Sequence, residues 1–454
     1  MRRMVSQAFA PRWFASDGAT ATLVRGASGS LTVRVCGVGI GLVAHLVLAR
    51  ICGAAAYGTY IYAFTILQLM LLPATLGFTT ALVRYVAAYR GEGRTAALRG
   101  LLRRSHALVL AASVVVGAIA AGAIAMAGEM VPAPLRSALL VACVALPVLA
   151  TTSLMQAATR GLKRVARSQV PEQVVRPAVL AILAGSFFFF TGSALSGTAV
   201  MGLLVAAGAV SLLVALVIQR PHLRIAAQSD GVEYHTRDWL RTAVPLMLIA
   251  GVFLLMRRMD AIMIGLLRGT VEVGVYSVAA RISNLVMFGF AAIGSIAAPM
   301  IAECHASRSG AELQALVHRV TRLTLLATVP LLLGAIAFGR PVLALFGEEF
   351  VVAYPPLVLL SIGMMLSVSA GPAGILLSMS GHERVNLKIA VSALLCNVAL
   401  NIPAISAYGI LGAAAVTGGV EAMRSLLLWR AARRRLGVDG SAWSALGQRA
   451  ATSS

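Results

Sequence analysis

The sequence predicts an all-α, polytopic membrane protein of about twelve transmembrane helices, built as two six-helix lobes around a central cavity. Three observations lead there. The 454-residue chain is 59% hydrophobic and only 12% charged, with a mean hydropathy of +0.88, whereas soluble globular chains carry about 25% charged residues. Apolar runs of roughly 20 residues, each sufficient to cross a bilayer core of about 30 Å, follow one another along the whole length. Basic residues gather in every second connection between those runs, as cytoplasmic loops do.

The apolar runs fall at 30–49, 59–83, 106–127, 137–157, 174–191, 199–219, 242–267, 273–301, 320–338, 352–379, 386–406 and 410–429. The fifth is short and has Pro177 near its start. With the N-terminus placed in the cytoplasm, inside segments hold 30 of the 38 basic residues, and the outside loops hold only Arg50, Arg136, Arg268 and Arg340. A missed or invented span would break this alternation, so both termini are expected to be cytoplasmic, in the inner (plasma) membrane. The expected organisation is a polar cytoplasmic tail (1–27), an N-lobe of spans one to six (28–219), a cytoplasmic linker (220–241), a C-lobe of spans seven to twelve (242–435) and a second tail (436–454). The charges of the linker, among them Glu233, His235 and Asp238, read as a solvated surface.

A repeat supports the two lobes. Gly53, Gly58 and Tyr60 after the first span match Gly269, Gly274 and Tyr276 after the seventh, all at one offset of 216 residues. Parallel repeats about an axis along the membrane normal are a transporter plan, with the substrate held at the repeat interface.

Several function classes are excluded. The formal charge of +22 is explained by orientation in a membrane, so nucleic acid is not an expected partner. Neither lysine follows a glycine, since Leu162 precedes Lys163 and Leu387 precedes Lys388, which rules out a Walker-type phosphate loop. The five cysteines are scattered, with no metal spacing or disulfide framework. The outside loops are short and poor in acids and histidines, so no enzyme, cofactor or metal is expected.

Chemistry concentrates between Arg241 and Ala302, where two apolar spans carry Arg257, Arg258, Asp260 and Arg281. Ionisable groups at hydrocarbon depth cost about 2.5–3.5 kcal/mol each on insertion scales and usually face a cavity or a partner. From the outer turns, Arg257 and Glu421 lie roughly 16 Å deep and Arg281 roughly 10 Å, taking about 1.5 Å per residue. Arg257 and Asp260, spaced i, i+3, can pair on one helical face. Arg258 points elsewhere and Arg281 has no acid in its span, so these two are the stronger candidates for an anion site, with Arg257 and Arg34 beside them. Arg34 can also snorkel to the inner boundary, and Arg84 and Arg424 read as topology anchors. His45 reads as a packed or hydrogen-bonded residue, with a proton-coupling role open. Four arginines against Asp260 and Glu421 leave the spans net positive, a charge that a diphosphate would neutralise. The planar guanidinium fork suits phosphate.

The segments Leu48-Ala49-Arg50-Ile51-Cys52-Gly53 through Gly58-Thr59-Tyr60, with Leu76-Gly77-Phe78 and Val83-Arg84-Tyr85, resemble the opening of polysaccharide (O-antigen or exopolysaccharide) flippases. Asp260 to Gly265 with Val273-Gly274-Val275-Tyr276 and Pro299 is similar to that family's seventh and eighth spans. Ser380-Gly381-His382-Glu383-Arg384, Asn397, Asn401, Pro403 and Gly409 to Ala415 resemble its C-terminal signature. The superfamily also holds multidrug exporters and the lipid II flippase, and twelve spans fit the polysaccharide branch best.

The resemblance implies alternating access and an undecaprenyl-diphosphate-linked oligosaccharide carried from the cytoplasmic to the periplasmic leaflet. Arg34, Arg257, Arg258 and Arg281 are then the substrate-binding residues, and Asp260 and Glu421 the ion-coupling ones. The partners implied are the anionic lipid-linked oligosaccharide, membrane lipids, and a glycan polymerase and glycosyltransferases, around a monomer. Two other readings stay open: a cation-coupled drug exporter, whose site would favour acids over arginines, and a non-transporting scaffold of a glycan-synthesis complex.

Overall fold

The computed structural model describes residues 18–227, 231–307 and 310–445. The expected N-terminal tail lies mostly outside the described residues. Among the described residues the chain is all-helical, and ten helices are long and apolar enough to cross a membrane. In order they are α1 (Gly18–Ala74), α2 (Phe78–Gly91), α3 (Thr95–Ala127), α4 (Ala133–Gly161), α5 (Val165–Val170), α6 (Arg176–Thr191), α7 (Gly197–Ala227), α8 (Thr236–Leu267), α9 (Thr270–Val286), α10 (Phe288–Ala306), α11 (Gly310–Phe346), α12 (Tyr354–Ser369), α13 (Ala373–Met379) and α14 (Glu383–Leu436).

The count of ten against an expected twelve has a simple origin. The spans Gly29–Ala74 and Glu383–Leu436 run 46 and 54 residues, roughly 70 and 80 Å at 1.5 Å per residue, over twice a bilayer core. Each is broken once, at Gly53 (φ 71°, ψ 172°) and Gly409 (φ 58°, ψ −137°), conformations essentially confined to glycine. The expected first and second spans lie either side of Gly53, and the eleventh and twelfth either side of Gly409. The expected eighth span is itself interrupted at Met287, where α9 gives way to α10. The fifth continues through a π turn, Pro171–Val175, which joins α5 to α6 and delivers Arg176 directly after it.

The sequence repeat has a structural counterpart. Gly269 (φ 92°, ψ 176°) adopts the backbone conformation of Gly53, and Gly58 meets Gly274 where α1 crosses α9. A Cβ on Gly58 would sit 2.0 Å from the Thr270 carbonyl oxygen, and one on Gly274 would sit 2.7 Å from that of Ala54. Residues 54 and 270 are themselves one repeat apart, so the two contacts are related by the same offset. The side bearing Gly53, Gly269 and Gly409 is called the outer side here.

Toward that side the buried core is continuous between the two halves of the chain, joining Leu48, Tyr57, Ile264, Val273, Phe350 and Ile405. Toward the inner side it divides. One cluster holds Phe78, Leu101 and Trp239, and a separate one holds Ile301, Val317, Leu428 and Val438. α9 packs closely on α1, whereas its continuation α10 barely touches it. The halves are thus joined at the outer side and part toward the inner side.

Two connections carry local structure. The 220–241 stretch is largely helical, with α7 running to Ala227 and α8 starting at Thr236. Its charges are exposed, as expected, and pair at the surface: Arg94 contacts Glu233 at 3.2 Å, and hydrogen bonds from His235 and Arg94 hold the Glu233 carboxyl below its usual range. Trp239 is fully buried and donates to the Tyr89 hydroxyl at 3.0 Å. Beyond α14, residues 437–445 fold back instead of trailing as a tail. Val438 and Ala445 are buried, and the Trp429 indole donates to the Asp439 carboxylate at 2.9 Å.

The crossing of α1 and α9 leaves no room for a side chain. Gly58→Ala is expected to cost about 2 kcal/mol, read as a lowered thermal unfolding midpoint of the purified protein relative to Gly231→Ala, whose Cβ meets only one atom, at 4.0 Å.

Candidate functional site: a cationic cluster between the halves

Below the outer core, side chains from both halves converge. Arg258 comes from α8, ten residues from Arg268, and Arg281 from α9, twelve residues from Gly269, which puts them roughly 15 and 18 Å below the outer turns. Arg176 arrives on α6 from the N-terminal half. The π turn before it sets its level, since a Cβ on Gly37 would lie 2.9 Å from the Gln173 Cβ. All three guanidiniums are close enough to act electrostatically on His45 of α1, and Arg281 and Arg258 act on each other.

Neither Arg258 nor Arg281 forms an ion pair among the described residues, and the Nε of each is buried without a hydrogen-bond partner. Arg176 is held 3.5 Å from Glu172, and its guanidinium lies 5.7 Å from the centroid of the Phe64 ring. Arg281 also reaches the Tyr57 hydroxyl, which lies 3.1 Å from His45 Nδ1. Tyr57 packs edge-on against Phe350, with centroids 5.9 Å apart, so the cluster sits directly beneath the outer closure. A buried polar group left without a partner carries a desolvation cost. Among the described residues the cluster's one ion pair is that of Arg176 with Glu172, and two such unpartnered nitrogens suit it chemically to a multiply charged anion.

Of the expected site residues, Arg258 and Arg281 are brought together. Arg257 is exposed beside Arg258 and within its electrostatic reach. Arg34 is exposed and lies eleven residues from His45 along α1, roughly 16 Å nearer the inner side. The pairing of Arg257 with Asp260 does not form. Asp260 instead accepts from the Tyr276 hydroxyl (2.6 Å) and the Thr417 hydroxyl (2.7 Å). Asn397 donates to Thr417 at 3.1 Å and Asn401 donates to Asn397 at 3.0 Å. Asn401 is fully buried, and its own Oδ1 is left without a donor. This acceptor-rich network belongs to α8, α9 and α14 alone. Glu421 is engaged by Arg424 on its own helix, Nε to Oε2 at 2.9 Å with a second contact between Nη2 and Oε1. Arg424, expected as a topology anchor, thus serves as that partner and lines a cavity of about 350 Å³ with Met287, Ser367 and Ser425.

Sequence reasoning missed Arg176. It stands two residues inside the expected fifth span yet was counted with the inside loop, and the Pro171 and Pro177 that flank it were the signal of a distorted helix start.

The fold resembles that of solved transporters of the MOP superfamily. The chain superposes on them over 90–93% of its length. An inward-facing multidrug-resistance MATE transporter is matched with a TM-score of 0.72 at 13% identity, over 90% of this chain and 98% of that one. The lipid II flippase MurJ, in an inward closed conformation, is matched at 0.68 and 13%, over 90% and 87%. A MOP-superfamily transporter from Pyrococcus furiosus is matched at 0.64 and 14%, over 93% and 97%. In sequence, the chain belongs to the polysaccharide biosynthesis protein family, whose model matches residues 23–305. It is also 24% identical over 170 residues to the probable low-salt glycan biosynthesis flippase Agl15 of Haloferax volcanii, a match spanning 37% of this chain and 36% of that relative's length.

If the cluster holds an anion, inorganic diphosphate at a hundredfold its dissociation constant stabilises the folded protein by about 2.7 kcal/mol. The expected rise in thermal midpoint is lost in Arg281→Gln and in Arg176→Gln, and kept in Arg34→Gln.

Proposed function

We propose that this protein flips an undecaprenyl-diphosphate-linked oligosaccharide from the cytoplasmic to the periplasmic leaflet of the inner membrane, for polysaccharide biosynthesis. The observation that supports it most is the pair of buried, unpaired Nε atoms of Arg258 and Arg281 at the junction of the two halves. In this reading Arg258, Arg281 and Arg176 hold the diphosphate, Arg257 extends the same face, and Arg34 meets the anion on its way in from the inner side. The glycan crosses in the water-filled cleft and the lipid tail stays in the bilayer. The two lobes are residues 28–219 and 242–435, each of six spans, both termini are cytoplasmic, and the protein catalyses no reaction of its own.

A membrane potential negative inside favours outward movement of an anion by about 2.3 kcal/mol per charge per 100 mV. Asp260, set in its network of Tyr276, Thr417 and Asn397, is the ion-coupling group, where a monovalent cation meets a carboxylate and neighbouring acceptors. Glu421, already bound by Arg424, is the weaker candidate. The family membership and the net positive site both favour this cargo over a cationic drug. Glycan polymerase and glycosyltransferases are the expected neighbours in the pathway.

Replacing Arg281 with Ala is expected to abolish glycan export in cells at normal protein abundance; export at the wild-type level removes Arg281 from the mechanism. Asp260→Asn is expected to retain diphosphate binding while flipping of a fluorescent lipid-linked sugar in proteoliposomes becomes independent of the cation gradient. Unchanged gradient dependence moves the coupling site elsewhere.

A further inference from the structure

Residues 437–445, which turn back from α14, lie along one stripe of α11, where Gln314, His318, Thr321 and Arg322 follow at helical spacing. The Gln314 amide group donates to the Asp439 carbonyl at 2.6 Å, and its Oε1 accepts from the Asp439 backbone N–H at 2.9 Å. His318 Nε2 lies 3.1 Å from the Ser444 hydroxyl. The Thr321 hydroxyl donates to the Gly440 carbonyl at 3.0 Å, and Arg322 Nε donates to that of Ala445 at 2.5 Å. A Cβ on Gly371, between α12 and α13, would sit 2.0 Å from the Gly440 carbonyl oxygen, so the segment is closely seated there too. Thr321 and Arg322 open the apolar run 320–338, which places the end of the segment level with the inner membrane boundary.

One side chain of this bonded segment is left outside. Trp443 is 87% exposed, and its indole N–H has no partner among the described residues. The other two tryptophans among those residues, Trp239 and Trp429, both donate theirs to protein groups. Arg319 follows His318 on α11, and Arg430, Arg434 and Arg435 occupy the last two turns of α14. All four are exposed, and none has an ion-pair or hydrogen-bond partner among the described residues. Arg433 differs: it lies 3.9 Å from Asp439, with its guanidinium over the Trp429 ring, and so helps to seat the segment. Indole rings gather where headgroups meet hydrocarbon, the ring on the apolar side and the N–H on the polar one. Arginines beside a leaflet are drawn to its anionic lipids. Orientation in the membrane accounts for the arginines, but not for a folded segment that presents a free indole at the boundary. We propose that Trp443, with Arg319, Arg430, Arg434 and Arg435, forms a docking site for the headgroup of an anionic phospholipid. The lipid phosphodiester accepts from the guanidiniums and the indole, and thereby ties the inner ends of α11 and α14 to the membrane surface.

The site uses no residue of the cationic cluster, and it is tested without cargo. Full-length protein is placed in nanodiscs of phosphatidylcholine containing one-third phosphatidylglycerol, with bromine on the acyl chains of one lipid or the other. The fluorescence of Trp443 is read as wild type minus Trp443→Phe. Brominated phosphatidylglycerol is expected to quench it beyond its share of the bilayer. The expected enrichment is about fivefold, the effect of one arginine beside an anionic surface. It falls toward parity in about 1 M salt, and also in the combined Arg319→Gln, Arg434→Gln, Arg435→Gln variant, whose altered side chains are exposed. Quenching of the wild type in simple proportion to each lipid, or enrichment kept in the triple variant, overturns the proposal. Quenching by neither lipid overturns it as well, since the ring then faces water, a second copy of the chain or another protein.

Discussion

The structure turns on the difficulty of keeping guanidinium groups without counter-charges inside an apolar bundle. Arg258 and Arg281 stand at mid-membrane depth with buried Nε atoms that no protein group accepts from. A charge at that depth costs several kcal/mol unless water, a partner or a ligand meets it. A helix bundle closed along its whole length would not meet that cost. The division of the core therefore has a physical basis. Apolar packing is continuous across the halves near the outer turns and divides into separate clusters toward the inner side.

The same constraint explains how polar work is shared. Asp260 could have neutralised Arg257 one turn away, but both its oxygens are taken by hydroxyls from α9 and α14. The carboxylate is thereby withheld from the arginines, and the cluster keeps its positive charge. Glu421 is withheld in the same way by Arg424. Asp260 and Glu421 are thus held in local networks, while the positive groups are drawn from α6, α8 and α9 to one place. A site assembled from both halves responds to their relative position, whereas one within a single half does not.

The class of fold was legible in the sequence because hydropathy and the one-sided distribution of basic residues are local signals. The repeat was legible as well, and Gly53 and Gly269 adopt the same backbone conformation because only glycine fits it. The helix count was less so. Nothing in residues 29–74 tells a turn between two spans from a sharp break in one helix, since the apolar pattern runs through Gly53 in either case. Asp260 was read through its nearest neighbour in sequence, although its partners Tyr276 and Thr417 are brought there by tertiary packing. Arg176 was assigned by the usual rule that basic residues near span ends stay outside. The π turn that carries it inward depends on backbone geometry that composition does not encode.

The outer closure is suited to opening. Between helices in lipid there is no hydrophobic drive to associate, so the contact rests on close packing and a few polar bonds. Here it rests on Gly58 against Gly274, on Tyr57 against Phe350, and on polar bonds that include Arg50 donating to the Ala344 carbonyl at 3.3 Å, the Thr59 and Thr270 hydroxyls 3.4 Å apart, and a cap in which the Ala54 amide donates to Glu349 of the other half at 2.5 Å. Such a cap contributes about 1 kcal/mol, and backbone contact between glycines involves no interlocked side chains that must repack when the helices part. By contrast, α8 is anchored at its inner end in the N-terminal half through Trp239 and shares the Asp260 network with α14 further along. That helix is held to both halves by side-chain hydrogen bonds, whereas the α1–α9 crossing is held chiefly by close backbone packing.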